Sequence, residues 1–152
     1  VQALVEDGIA DPEKLAIFGW SYGGYAAFVA ATRNNDLFNC VVAGAGVSDL
    51  TRIRRGLSGS RFLRRYQKPT IAGVSPVDLA SKVSVPMLIV HGDYDQTVPV
   101  EHSRRFVKGL EQAGADHQYI EIEDMGHSPQ FFEQNMQWFP ELFDFFDTKC
   151  GF

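Results

Sequence analysis

Three short stretches of this chain hold residues that together could carry out acyl transfer. Gly19-Trp20-Ser21-Tyr22-Gly23-Gly24 offers a serine, His91-Gly92-Asp93-Tyr94-Asp95 offers a carboxylate, and Asp124-Met125-Gly126-His127 offers an imidazole. A serine hydroxyl is a weak nucleophile at neutral pH. It needs a base beside it, and a histidine serves when a carboxylate fixes its ring. The apolar run Leu15-Ala16-Ile17-Phe18 precedes Ser21, and the small-residue run Tyr25-Ala26-Ala27-Phe28-Val29-Ala30-Ala31 follows it. Strand, Gly-x-Ser-x-Gly, then helix is the context of a nucleophile elbow. Gly19 and Gly23 lack a Cβ, so strand and helix are expected to close around a strained serine. Tyr22 opens the helix, and its backbone N–H is the expected donor to an oxyanion.

The acid is not singled out by the residues alone. Asp93 suits a turn that bonds nearby backbone N–H groups, and Asp95 lies two positions further out. His127 follows a strand and precedes a helix, with Gly126 permitting a tight turn. Its rivals are weaker: His102 is expected on a charged helix face, His117 at the opposite end of the sheet, and His91 as a structural histidine closing a buried strand. Gly44-Ala45-Gly46 lacks the third glycine and the context of a phosphate loop. Neither a cofactor nor a metal is expected.

These residues need strands to carry them. Apolar runs at 15–19, 39–43 and 86–91 read as buried strands, and 117–122 alternates polar and apolar as an edge strand does. Helical patterns fill 1–8, 22–33, 51–66, 100–113 and 128–146, with a short helix opened by Ser75-Pro76. Alternating strands and helices predict an α/β fold with a mostly parallel sheet of about four strands. Ligands of such sheets bind beyond the carboxyl ends of the strands, where Ser21, Asp95 and His127 all fall.

Composition narrows the partners. With 14 basic and 19 acidic residues, the net charge of -5 argues against nucleic acid. No apolar run approaches the roughly 20 residues of a membrane span. Cys40 sits in an apolar run and Cys150 near the end of the chain, so Cys40 is expected as a reduced core thiol in a cytoplasmic protein. Arg52, Arg54, Arg55, Arg61, Arg64, Arg65 and Lys68 make up half of the basic residues. They are expected on the solvated face of a helix whose inward residues are Ile53, Leu57, Phe62 and Leu63.

Together, Gly19-Trp20-Ser21-Tyr22-Gly23-Gly24-Tyr25, Ser75-Pro76, His91-Gly92-x-x-Asp95-x-x-Val98-Pro99 and Gly126-His127 resemble the catalytic domain of prolyl oligopeptidase family serine peptidases. The resemblance runs over nearly the whole chain. It implies an α/β-hydrolase fold, Asp95 rather than Asp93 as the acid, and a Ser21–Asp95–His127 triad acting on peptides, acyl-peptides or esters. A carboxylesterase of the same fold is the nearest alternative, and an inactive fragment that pairs with another chain is a second. The chain begins with Val1, and one strand precedes Ser21 where the family has five. The resemblance therefore implies that residues 1–152 are a partial catalytic domain, without the first strands, a second oxyanion donor and a β-propeller. It also implies an open edge on the strand at Leu15–Phe18, a place for self-association or for pairing with another chain.

Overall fold

Every apolar run that was expected to form a strand does so, and all four strands lie parallel. The computed structural model describes all residues except 35, 57–60, 62–64, 66–72 and 152. The strands are β1 (Ala16–Trp20), β2 (Cys40–Gly44), β3 (Met87–Gly92) and β4 (His117–Ile122), and their order in the sheet is their order in the chain. Register pairs Gly19 with Ala43, Ala43 with Ile89, and Ile89 with Tyr119. The carboxyl ends of β1, β3 and β4 therefore lie at the same side of the sheet.

Helices cover both faces. Between β1 and β2 runs α2 (Tyr22–Arg33); α3 (Leu50–Gly56) follows β2, and a 3₁₀ helix (Pro76–Lys82) leads into β3. Between β3 and β4 runs α4 (Glu101–Ala113), and after β4 come α5 (Phe132–Met136) and α6 (Phe139–Phe145). A short helix, α1 (Gln2–Glu6), opens the chain. Side chains alternate across β2 and β3, as the pleat dictates. Val41, Ala43, Met87 and Ile89 pack with Phe28, Phe106 and Leu110 on one face. Cys40, Val42, Leu88 and Val90 pack with Ile122, Trp138, Leu142 and Phe145 on the other. Both central strands are buried throughout, whereas β1 and β4 are only partly covered.

Three expectations need correction. First, 128–146 is not one helix: α5 begins only at Phe132, and the chain breaks at Gln137–Trp138 before α6. Pro140 has no N–H to give to the carbonyl four residues back, and its ring crowds that carbonyl, so a single helix cannot pass through it. Second, Cys40 is not a thiol. It forms a disulfide with Cys150 across a sequence separation of 110, with Cα atoms 5.4 Å apart. The C-terminal π-helical turn Phe146–Cys150 folds back over the start of β2, and both cysteines are buried. The cysteine argument for a cytoplasmic setting falls with it.

Third, His102 does not lie on an open face. It is 1% exposed, and its Nδ1 accepts the backbone N–H groups of Ser48 and Asp49, each at 3.2 Å. Ser48 Oγ in turn donates to the His102 carbonyl at 2.6 Å. The ring thus pins the turn after β2 to the first turn of α4. Of the helix expected over 51–66, α3 covers the first part; Leu57, Phe62, Leu63, Arg64 and Lys68 lie outside the described residues.

Two stability predictions follow from these contacts. Reducing the disulfide frees a loop of 110 residues in the unfolded chain. Reduction, or Cys150→Ala, is expected to lower the unfolding free energy by about 2–5 kcal/mol in a guanidinium titration. Burial, chiefly, pushes the His102 pKa down to about 4, against a partial opposing pull from Asp49. The unfolded chain takes up that proton near pH 6.5 and the folded chain does not. Stability is therefore unaffected above about pH 6.5 and falls as pH drops from there to about 4, by about 3 kcal/mol. Unfolding His102→Gln at about pH 7 and about pH 4.5 should give a flatter dependence than the parent chain. An unchanged slope would rule His102 out as its source.

Candidate active site

Ser21 sits between β1 and α2 with φ 58 and ψ -113, a conformation that costs a non-glycine residue on the order of 1–3 kcal/mol. The surroundings hold it there. Its backbone N–H donates to the Gly44 carbonyl at 2.9 Å, and its own carbonyl accepts the N–H of Tyr25 at 3.0 Å. The turn is tight enough that a Cβ on Gly19 would lie 2.2 Å from the Gly23 carbonyl oxygen. Gly23 has open space where its own Cβ would be, so here it is the backbone of Gly23, not its missing side chain, that makes the approach. Gly24 carries the second constraint, because a Cβ there would fall 2.4 Å from the Gly44 carbonyl oxygen. Tyr22 begins α2, so its N–H belongs to the first turn and has no acceptor within the helix. Its side chain is 80% exposed.

The second group comes from the turn after β3. Asp95 is buried and Asp93 exposed, which separates the two candidate acids physically. Asp95 Oδ1 accepts the N–H groups of Thr97 (2.8 Å) and Val98 (2.9 Å). Its other oxygen, Oδ2, lies 2.8 Å from His127 Nδ1. The third group stands on the loop after β4. His127 Nε2 is 2.8 Å from Ser21 Oγ, and the ring is a quarter exposed. Residues from three strand ends, 74 and 106 positions apart from Ser21, thus join in one hydrogen-bonded line.

Several further residues fix the loops, and sequence reasoning did not assign them. The Trp20 indole N–H donates to the His127 carbonyl at 2.7 Å, tying the loop after β4 to the end of β1. The buried Gln134 accepts from the N–H groups of Gln130 and Phe131 and donates to the Asp124 carbonyl, so it spans that loop from inside. A Cβ on Gly92 would come within 2.1 Å of the Met125 carbonyl oxygen, so only glycine lets the turn after β3 and the loop after β4 meet. His91 is buried, as expected of a structural histidine, but one of its neighbours is Asp95 Oδ2 at 3.2 Å. His117, by contrast, sits at the far end of β4, bonded to the Ala115 carbonyl. Among the described arginines of the basic segment, Arg52, Arg55, Arg61 and Arg65 are exposed, as a solvated face requires.

Comparison with known proteins shows the family. "Prolyl endopeptidase FAP" of Mus musculus is 30% identical over 136 residues, covering 84% of this chain and 17% of the relative. "Dipeptidyl peptidase family member 6" of Caenorhabditis elegans is 27% identical over 165 residues, covering 99% of this chain and 22% of the relative. The solved structure of a Mycobacterium tuberculosis puromycin-hydrolyzing peptidase superposes with a TM-score of 0.87 at 27% identity, over 99% of this chain and 24% of that one. The chain thus spans less than a quarter of the length of each. The sequence model of the prolyl oligopeptidase family matches residues 1–152, and the chain belongs to that family.

Proposed function

We propose that residues 1–152 are part of the α/β-hydrolase catalytic domain of a serine peptidase, with Ser21 as nucleophile, His127 as general base and Asp95 as the acid that orients it. The observation that carries this reading is the unbroken line Ser21 Oγ, His127 Nε2, His127 Nδ1, Asp95 Oδ2, with both hydrogen bonds at 2.8 Å. The Asp95 carboxylate, already holding two backbone N–H groups, accepts a hydrogen bond from the Nδ1–H of His127. That choice of tautomer leaves the Nε2 lone pair facing the serine hydroxyl. As Ser21 Oγ bonds to the carbonyl carbon of a substrate, its proton passes to Nε2. The carbonyl π pair moves to oxygen, where the N–H of Tyr22 donates to it. When the tetrahedral adduct collapses, the C–N bond breaks and the amine leaves with the proton from Nε2. Water then repeats the sequence on the acyl-enzyme and restores Ser21.

Membership of the prolyl oligopeptidase family favours peptides or acyl-peptides over simple esters as substrates. The site can be tested with a fluorophosphonate, which labels an activated serine. Labelling is expected in the full-length protein and absent in Ser21→Ala, with turnover down on the order of 10⁴-fold or more. Release of amine from a peptidyl amide would separate the peptidase from an esterase that cleaves nitrophenyl esters alone. A wild-type protein inert to both reagents would sink the reading.

A second proposal concerns β1. Its outer edge has no strand partner among the described residues, Phe18 is 51% exposed, and the buried Trp138 Nε1 has no acceptor there. These favour pairing of Leu15–Phe18 with a further strand, from a second copy of the chain or from another chain. If the strand comes from a second copy, light scattering of the 152-residue chain should show a dimer that Phe18→Lys shifts to monomer. A parent chain that is already monomeric would contradict pairing between copies.

A further inference from the structure

His91 is the last-but-one residue of β3 and is fully buried, yet it touches neither Ser21 nor His127 in the relay described above. Its ring is held at both ends. Nε2 lies 2.8 Å from the Val98 carbonyl and 3.2 Å from Asp95 Oδ2, while Nδ1 lies 2.7 Å from Ser103 Oγ. Two oxygens without protons to give face Nε2, so Nε2 carries the hydrogen. Burial, the main influence, lowers the affinity of the ring for a second proton despite the pull of Asp95. Nδ1 is then a lone pair, and the buried Ser103 hydroxyl in the first turn of α4 donates to it. The tautomer follows from the hydrogen-bond network rather than from any hydrogen position.

The consequence lies in what Nε2–H touches. Val98 donates its N–H to Asp95 Oδ1 and accepts at its carbonyl from His91, so the turn from Asp95 to Val98 is closed from both sides. Asp95 Oδ2 receives His127 Nδ1–H at 2.8 Å and lies within reach of His91 Nε2–H at 3.2 Å. We propose that His91 is a positioning residue: held by Ser103, it fixes the carboxylate plane of Asp95 and shares Oδ2 with His127, moderating the basicity that the acid shows toward the base. This rests on the reading of Ser21, Asp95 and His127 as a triad. The titratable groups around the ring are Asp95 and His127 in the site, His102 on α4, and Glu121 on the neighbouring β4. Of these, only Asp95 has an atom bonded to the ring.

The test compares two substitutions of similar chemistry and different reach in the purified full-length protein. The amide of His91→Asn can take the Ser103 hydroxyl but is too short to meet Asp95; the amide of His91→Gln reaches the place of Nε2. For His91→Asn, the acid limb of the kcat/KM profile should move up by about half a pH unit or more. Its kcat should fall about tenfold with KM changed less than about twofold, as expected for an interaction that acts on the transition state. The His127 Nδ1–H resonance should move to lower field, because one donor no longer competes for Oδ2. His91→Gln should bring all three back toward the parent values. Ser103→Ala, a smaller change, should move them the same way as His91→Asn but less. A folded His91→Asn with the parent acid limb and resonance, or a His91→Gln that matches it, would overturn the proposal. The resonance is read without turnover. A protein inert to fluorophosphonate therefore counts against the hydrolase reading alone, and the spectrum still decides the role of His91.

Discussion

Backbone must come against backbone at three points before any side chain of this site can meet another. The first is Gly19 against Gly23, which folds β1 directly into α2 and leaves Ser21 in its strained conformation at the corner. The second is Gly24 against Gly44, which sets the start of α2 on the end of β2. The third is Gly92 against Met125, which lays the turn of Asp95 on the loop of His127. Hydrogen bonds of 2.8 Å between side chains on separate loops tolerate little error in loop position. A Cβ on Gly19, Gly24 or Gly92 would fall 2.1–2.4 Å from a backbone oxygen, so the main chain there would have to shift. The precision of the site is therefore a property of the main chain first.

The second demand is electrostatic. A carboxylate as buried as Asp95 is costly unless its lone pairs are filled. Two backbone N–H groups, one imidazole in the site and one behind it do the filling. The helix α4 serves this arrangement with two successive residues: Ser103 reaches back to His91 and His102 reaches across to Ser48 and Asp49. One helical turn thereby links the ends of β2 and β3, the two strands next along the sheet from β1.

Much of this was legible in the chain, because glycine and apolar runs punctuate it sharply. Gly19, Gly44 and Gly92 lie at strand ends and Gly126 on the loop after β4, and the three candidate residues follow Gly19, Gly92 and Gly126. The burial of His102 was legible too, since helical spacing sets it with Phe106 and Leu110, but its charged neighbours Glu101, Arg104 and Arg105 drew attention to the other face. Pro140 signalled the broken helix. The Cys40–Cys150 bond was not legible. Nothing local says that residues 110 apart will be neighbours; that depends on α6 and the following turn returning across the sheet. Nor could spacing reveal that Trp20 and Gln134 spend their polar atoms on the loop that carries His127.

That same bond divides the molecule topologically. Residues 40 to 150 close into a covalent ring that includes Asp95 and His127, while Ser21 lies on an arm outside it. A single peptide cleavage anywhere within the ring, the arginine-rich segment included, leaves both pieces tethered with Asp95 and His127 still attached. A cleavage between Ser21 and Cys40 severs the serine from Asp95 and His127 in covalent terms, leaving non-covalent contacts such as the β1–β2 ladder, the packing of α2 and the Trp20–His127 bond to hold it. Of the three candidate residues, only Ser21 thus lies on an arm that the disulfide does not insure.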